Sequence, residues 1–266
     1  MTEDLSPGSQ WPTPRPHDRV TFVLLLIGAT FGLLAVTTSW ALSPFAVELR
    51  TFAMRYHENP ARLDAIRDGL AQAIRTGADL EDLTALARVC FLWGDIRATT
   101  PDQKLEAYEQ GRQAAKRAVE LDPKSVVAHF WYATNNARWG QTKGVLRSLF
   151  LLPTVNEETE IVLKLDPTFT AIYALAGNVA YEVPGLLGGD LNRAEQMFRK
   201  GLELDPKFTA MRVGLGKTLI KQGRIAEARR ELQAVVDEKE PRNLADWTMK
   251  DLRKARELLE SIKGMS

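Results

Sequence analysis

The stretch that decides the fold is LELDPKFTAMRVGLGKTLIKQGRIAEARRELQAVV, which runs from Leu202 to Val236. Its opening LELDP has two close copies upstream, VELDP ending at Pro123 and LKLDP ending at Pro167. Each copy precedes a segment with helical spacing of small, apolar and aromatic residues: KSVVAHFWYA, TFTAIYALAG and KFTAMRVGLG. Self-similarity at a period of a few tens of residues is typical of a helical solenoid, in which each helix pair packs on the next.

The copies are unevenly spaced along the chain. Pro123 and Pro167 are 44 residues apart, and Pro167 and Pro206 are 39 apart. The additional residues fall in or near QTKGVLRSLFLLP in the first interval and at PGLLG in the second. We interpret GVLRSLFLLP as an apolar connector that packs in the core, with contact to the membrane or to a partner as the alternatives. A further, divergent unit is expected from Leu80 to Pro123, with a helix that starts at Thr100–Pro101.

The last unit resembles the tetratricopeptide repeat. Its small and apolar residues occupy the packing positions of the ~34-residue consensus: Leu215, Gly216, Leu219, Gly223, Ala228, Leu232 and Val235. Small residues such as Gly216 and Ala228 allow paired helices to approach closely. We therefore expect an all-α, tetratricopeptide-like solenoid of about three or four helix pairs with a capping helix, behind one N-terminal transmembrane helix.

A closer resemblance comes from three segments together: AHFWYATNNARWGQ, LDPTFTAIYALAGNVAYEVPGLLGGDLNRAEQMFRKGLELDPKFTAMRVGLGKTLI and GRIAEARREL. They are similar to the family of the regulator-of-microtubule-dynamics proteins and the T-component of TRAP transporters, over roughly Leu80 to Glu240. In these relatives a P-G-x-x-G-G-D loop joins the two helices of one repeat. Relatives of the T-component kind are periplasmic, associate with a solute-binding protein, and in some cases have a cleft that admits an apolar ligand. This chain departs from them because its N-terminal apolar run has no lipobox cysteine.

The N-terminal region predicts a membrane anchor. Residues 20–42 carry no charge and are long enough to span a bilayer core of about 30 Å as a helix. The alternative is a signal sequence cleaved near Ser39-Trp40-Ala41. We favour an uncleaved anchor because the apolar run is longer than a usual signal-peptide core and its leading segment is nearly neutral. Residues 1–19 are rich in proline and polar residues and are expected to be disordered.

The remaining chain divides into three parts in this interpretation. Residues 43–78 are expected to form a helical linker, residues 79–242 the repeat domain, and residues 243–266 a helix that caps the open end of the solenoid. The capping helix is predicted from apolar residues on one face and charged residues on the other, as in LADWTMKDLRKARELLESIK.

Composition excludes several functional classes. The 266 residues contain 35 basic and 34 acidic side chains, so no excess of positive charge points to nucleic acid as a partner. One cysteine, Cys90, rules out an internal disulfide framework, and three widely separated histidines are poor material for a metal site. We expect no cofactor and no metal.

Two glycine-rich motifs resemble nucleotide-binding loops but lack features that such loops require. GLGKT at Gly214–Thr218 ends like a P-loop, but Met211 stands where the first glycine is required, and the segment lies in a predicted helix. PGLLGGD lacks a preceding strand, and Asp190 is expected to cap the next helix, where its charge would repel a phosphate. The sequence therefore predicts a binding protein rather than an enzyme.

The candidate binding residues lie on the first helix of each repeat, which lines the concave groove of a tetratricopeptide array. Consensus groove positions project onto Phe130, Thr134, Arg138, Asn178, Tyr181, Lys217 and Lys221. Three of these are basic, which suits an acidic peptide or a chain carboxylate. We expect a membrane-anchored scaffold in a bacterial inner membrane, with a periplasmic repeat domain that binds a partner protein or peptide as an accessory subunit of a membrane complex. The alternatives are a periplasmic carrier of a small apolar ligand and a structural subunit; homo-oligomerisation is left open.

Overall fold

A computed structural model describes residues 42–77 and 79–265 of the chain. The predicted tail at 1–19 and all but the last residue of the predicted anchor at 20–42 lie outside the described residues. Among the residues that are described, no helix combines the length and the hydropathy that crossing a membrane requires.

The described chain begins with two helices that precede the repeats. Helix α1 spans Pro44–Phe52, a 3₁₀ turn covers Tyr56–Glu58, and helix α2 spans Arg62–Thr76. The Ser43 hydroxyl caps α1 by accepting a hydrogen bond from the amide of Phe45. Residues 43–76 thus pack as helices against the repeat that follows, and Leu49 and Leu63 are buried in the resulting core.

Four helix pairs follow, each made of two antiparallel neighbours. In chain order they are α3 (Leu80–Ile96) with α4 (Pro101–Leu121), α5 (Val126–Lys143) with α6 (Val145–Leu165), α7 (Thr170–Glu182) with α8 (Leu191–Leu204), and α9 (Thr209–Lys221) with α10 (Ile225–Asp237). The all-helical, tetratricopeptide-like solenoid expected from the sequence is confirmed. Successive first helices (α3, α5, α7 and α9) contact one another more than successive second helices do, so the first helices lie on the inner side of the curve.

The recurring Leu-Asp-Pro sequence stops one pair and starts the next. Asp122, Asp166 and Asp205 each follow the last residue of a second helix. Each carboxylate accepts a hydrogen bond from the backbone amide two residues later, at 3.0, 2.8 and 3.1 Å. This is the turn that aspartate side chains stabilise, and it reverses the chain at each of the three junctions between the pairs.

The predicted helix starts are also confirmed. Thr100 and Gln103 form a capping box around the start of α4, and Pro101 occupies its first position. Asp190 caps α8 by accepting hydrogen bonds from the amides of Asn192 and Arg193. PGLLGGD is therefore a helix connector, with a 3₁₀ turn at Gly185–Leu187.

The segment GVLRSLFLLP differs from its expected form. It is not a connector: α5 and α6 are joined by Gly144 alone, whose φ of 114° favours glycine, and the segment forms the first turns of α6. The core packing expected for it is also wrong in part, because Val145, Leu146 and Phe150 are 65%, 84% and 73% exposed. The additional residues of this repeat lengthen two helices instead of a loop.

Glycines allow the paired helices to approach each other, as the sequence predicted. A Cβ atom at Gly216 would lie 2.7 Å from the Leu232 side chain, and one at Gly177 would lie 2.6 Å from the Phe198 ring. The same ring lies 2.5 Å from the Cβ position of Gly214, on the next inner helix. The Phe198 ring of α8 therefore packs against α7 and α9 at two positions where a side chain larger than that of glycine would overlap the ring.

The C-terminal region crosses back to the first helices of the chain. After α10 come α11 (Leu244–Asp246), a π-helical turn at Trp247–Asp251 and α12 (Leu252–Ser261). Helix α12 packs on α10 and buries Ala255 and Ile262. Residues 242–251, here called the closing segment, instead reach the start of the described chain: Ala245 donates its amide to the Met54 carbonyl, and Asn243 bonds the Ala53 carbonyl.

We predict that Gly177→Ala lowers the free energy of unfolding by about 1–2 kcal/mol, because the aromatic ring of Phe198 cannot move aside as a flexible side chain would. Urea denaturation followed by circular dichroism measures the change. Gly185→Ala is the matched control, since a Cβ there meets nothing within 4 Å, and it should leave stability within about 0.5 kcal/mol of the parent. An unchanged midpoint for Gly177→Ala would contradict the close packing.

Candidate partner-binding surface

Four of the predicted groove residues come together at the C-terminal ends of α7 and α9. We call this surface the basic rim: Asn178, Tyr181, Lys217 and Lys221. The ammonium groups of Lys217 and Lys221 lie 4.3 and 3.8 Å from the centre of the Tyr181 ring. The ring attracts each ammonium group separately, so both lysines are drawn to the same part of the surface and concentrate positive charge there.

The charge of the basic rim is only partly balanced. Lys217 pairs with Glu182 at 3.0 Å, whereas Lys221 forms no ion pair with any residue the structure describes and instead donates to the Tyr181 carbonyl at 3.4 Å. Asn178 and Lys221 are exposed. Partial burial, with the negative charge of Glu182 nearby, raises the pKa of Tyr181, so its hydroxyl stays protonated at physiological pH. The rim therefore offers donors and a net positive charge to a ligand.

Phe130 and Thr134, the predicted groove residues in the first half of α5, pack against other side chains of the protein. The Phe130 ring lies 4.8 Å from Trp131 and 5.1 Å from Phe169, centre to centre. Thr134 is buried, and its hydroxyl has no hydrogen-bond partner among the described residues. These two positions lie on the inner face but present little surface to a ligand.

Arg138 is joined to the interior rather than free in the groove. Its guanidinium donates to Asp95 at 3.0 Å, and the same carboxylate accepts a hydrogen bond from the Tyr108 hydroxyl at 2.7 Å. The charge of Asp95 raises the pKa of Arg138. The closing segment contributes a second cation, Lys250, at 3.8 Å from Asp95. Arg138 and Lys250 of the closing segment therefore share the Asp95 carboxylate.

The closing segment carries its own network of charges. Asp246 accepts a hydrogen bond from the Tyr56 hydroxyl at 2.7 Å and pairs with Lys250 at 2.6 Å. Burial alone would lower the pKa of Lys250, but Asp246 and Asp95 outweigh it and raise the pKa. Asp251 accepts from the Thr209 hydroxyl at 2.7 Å, and burial raises the pKa of Asp251 to about 6.

Sequence reasoning missed the charged residues of this network. The signal that could have found them is a charge inside an otherwise apolar helix: Arg88 and Asp95 interrupt the run LTALARVCFLWGDI of α3. A charged residue in such a run needs a partner, and for Asp95 the partners come from α4, α5 and the closing segment.

The motifs set aside on sequence grounds lie in packed or exposed structure. GLGKT is part of α9, and Gly214 and Gly216 face Phe198 and Leu232 while Lys217 pairs with Glu182. Leu186 and Leu187 of PGLLGGD are exposed. No group of side chains in the described part of the chain has the composition and proximity of a metal site.

Comparison with protein families finds two matches. The family described as regulator of microtubule dynamics protein 1-3 matches residues 56–187, and a tetratricopeptide repeat family matches residues 186–248. The bovine (Bos taurus) regulator of microtubule dynamics protein 1 is 25% identical over 159 residues, which cover 54% of this chain and 50% of that protein. The chain thus aligns with about half the length of this curated relative.

One solved structure supports the fold, and a second is similar over much of the chain. A thermophilic tetratricopeptide-repeat protein of Thermus thermophilus superposes with a TM-score of 0.58 at 17% identity, covering 83% of this chain and 97% of its own. MamA of Desulfovibrio magneticus superposes with a TM-score of 0.45 at 19% identity, covering 74% of this chain and 96% of that structure. The first of these similarities supports the fold and says nothing of the ligand.

The raised pKa of Asp251 makes a testable contribution to stability. The folded state binds this proton more tightly than the unfolded chain, so the contribution is complete below about pH 4 and is lost as the pH rises through about 6. We expect the free energy of unfolding of Asp251→Asn to rise relative to that of the parent across this window. The difference should reach on the order of 2–3 kcal/mol above pH 6. Urea unfolding at a series of pH values measures the difference.

Asp237→Asn, which removes an exposed carboxylate from α10, controls for the loss of one negative charge. A difference between Asp251→Asn and the parent that does not change between about pH 4 and pH 8 would contradict the burial of an ionisable Asp251.

Proposed function

We propose that this tetratricopeptide-like repeat protein is an interaction scaffold that binds an acidic segment of a partner protein at the basic rim. The observation that supports this most directly is the placement of Lys217 and Lys221 on the ring of Tyr181, with Lys221 lacking a carboxylate partner in the described chain. The fold argues for binding rather than catalysis, since helical repeats present extended inner surfaces and no assembled set of reactive groups.

The rim suits a peptide carboxylate for a physical reason. Its two ammonium groups are held by the tyrosine ring, so a ligand need not immobilise two free lysine side chains on binding. The exposed Asn178 adds a side chain that both donates and accepts hydrogen bonds. Such an arrangement favours an extended acidic segment over a single small anion.

We also propose that residues 20–42 anchor the protein as a single membrane pass, in a bacterial inner membrane with the repeats in the periplasm. The support is the uncharged apolar run in the sequence. An anchor would raise the local concentration of the rim near membrane complexes. The exposed Val145, Leu146 and Phe150 at the start of α6 fit a role as an accessory subunit, because exposed apolar clusters often mark contact surfaces.

The alternative of a carrier for a small apolar ligand has less support. The helices that would enclose the ligand are closely packed, with the Phe198 ring against Gly177 and Gly214 and the Asn135 side chain against Gly111. A carrier of this kind needs an interior space between those helices.

The test is a charge reversal at the rim. Lys217→Glu/Lys221→Glu should bind a fluorescent poly-glutamate peptide at least about tenfold more weakly than the parent, as measured by fluorescence anisotropy. The parent's affinity should also fall as salt is added, because the rim charges lie at the surface. Arg138 is a poor choice for this test, since a carboxylate there would face Asp95 inside the protein.

Lys116→Glu/Lys200→Glu is the matched control. It makes the same change in net charge on the second helices α4 and α8, where both lysines are exposed. If the control lost as much affinity as the rim variant, binding would depend on overall charge and the proposed site would be wrong.

A further inference from the structure

A second open part of the inner face lies at the N-terminal end of the solenoid. A groove of about 550 Å³ runs between α1, α3 and α5, and we call it the N-terminal groove. Leu80, Val127 and Trp131 supply apolar surface to it. Val127 is 43% exposed, which leaves a β-branched side chain facing water without a partner.

The groove contains an arginine that forms no ion pair with any residue in the described part of the chain. Arg88 of α3 lines it and is partly buried. Throughout residues 42–77 and 79–265, nothing accepts a hydrogen bond from its guanidinium or pairs with it. Burial lowers the pKa of Arg88, while Asp246 and Arg242 act on it from longer range with opposite signs. A desolvated cation is costly unless an anion contacts it, so a carboxylate placed here would be strongly favoured.

The polar edge of the groove carries both signs of charge. Arg50 pairs with Glu81 at 2.5 Å, and Asp79 caps the start of α3. Because Arg50 neutralises Glu81, the charge of Asp79 leaves the edge negative, which disfavours the phosphate of a lipid headgroup. A peptide can instead place one carboxylate on Arg88 and its neutral backbone and polar side chains along the edge.

We propose that the N-terminal groove binds a short peptide segment of a partner protein, with apolar side chains covering Val127 and Trp131 and one carboxylate pairing with Arg88. A guanidinium binds a carboxylate through two parallel hydrogen bonds, so the pair would fix the register of the peptide as well as add affinity. This site is separate from the basic rim and does not depend on it, because the two surfaces use different helices.

The test compares two panels of fluorescent, end-blocked hexapeptides with the full chain. One panel places a single glutamate at each position among leucine and phenylalanine, and the other has glutamine in the same places. The best glutamate peptide should bind at least roughly tenfold more tightly than its glutamine counterpart, because only the first gives Arg88 a charged partner.

Arg88→Met should bind both peptides equally, and its melting temperature should equal or exceed that of the parent, because the substitution removes an unpaired cation from a partly apolar site. Arg75→Met is the matched control: Arg75 is exposed on α2 and should keep the preference for glutamate. A lower melting temperature for Arg88→Met would assign Arg88 a structural role and overturn the proposal.

Three further outcomes would overturn it. They are no binding of any glutamate peptide, equal binding of glutamate and glutamine peptides by the parent, and Arg88-dependent binding to phosphatidylserine vesicles with no peptide preference. Loss of the glutamate preference in Lys217→Glu/Lys221→Glu would show that the peptide had bound at the basic rim instead.

Discussion

The hydrogen bond between Tyr56 and Asp246 joins two residues that lie 190 positions apart, and the arrangement of the inner face depends on it. In an open solenoid each repeat contacts only its neighbours, so stability is a sum of local terms. Here the closing segment adds contacts between the two ends: to the backbone of Ala53 and Met54, to Asp95 of α3 and to Thr209 of α9. The first and last repeats should therefore unfold together rather than fray independently.

The closing segment also decides which parts of the inner face a ligand can reach. It lies against α3 and α9, and its Trp247 and Met249 pack against two different core clusters. The basic rim remains accessible at the ends of α7 and α9, and the N-terminal groove remains accessible between α1, α3 and α5. A scaffold with two such surfaces can hold a partner at two points, and the affinity of the pair would exceed that of either.

The carboxylates around the closing segment all have partners among the described residues. Asp95 and Asp246 share the cations Arg138 and Lys250, and Asp251 is satisfied by the Thr209 hydroxyl. Paired charges of this kind contribute modestly to stability, but removing one partner is costly because the other stays desolvated. Arg88 of the N-terminal groove has no such partner within residues 42–77 and 79–265, and this is the arrangement we expect of a group that binds a ligand.

Much of the fold could be predicted because its determinants are local. The Leu-Asp-Pro turns, the capping box at Thr100 and Gln103, and the glycines that face Phe198 and Leu232 act within one repeat or between adjacent helices. The same repeat frame places Asn178 and Lys217 at corresponding positions of neighbouring first helices, while the binding role of the basic rim stays a prediction. Residues whose partners are distant could not be predicted in this way.

The C-terminal region shows why distant partners could not be predicted, and two other features were missed for other reasons. The amphipathic pattern of the C-terminal region predicts a helix, but nothing in it indicates that Asp246 and Lys250 meet Tyr56 and Asp95. His129 and Glu158 lie in the two helices of one pair, and their buried contact of 2.5 Å was missed because neither residue stands out in its helix. In the region GVLRSLFLLP, apolar composition indicated burial, yet the chain continued as helix past the edge of the core and left three apolar residues exposed.

The most direct test of the closed arrangement is a double-mutant cycle on Tyr56→Phe and Asp246→Asn, with the free energy of unfolding measured by urea denaturation. If the closing segment is held as described, the two substitutions should be non-additive, with a coupling energy of about 1–2 kcal/mol. Additive effects, with a coupling energy near zero, would show that the two ends of the repeat domain do not meet in solution.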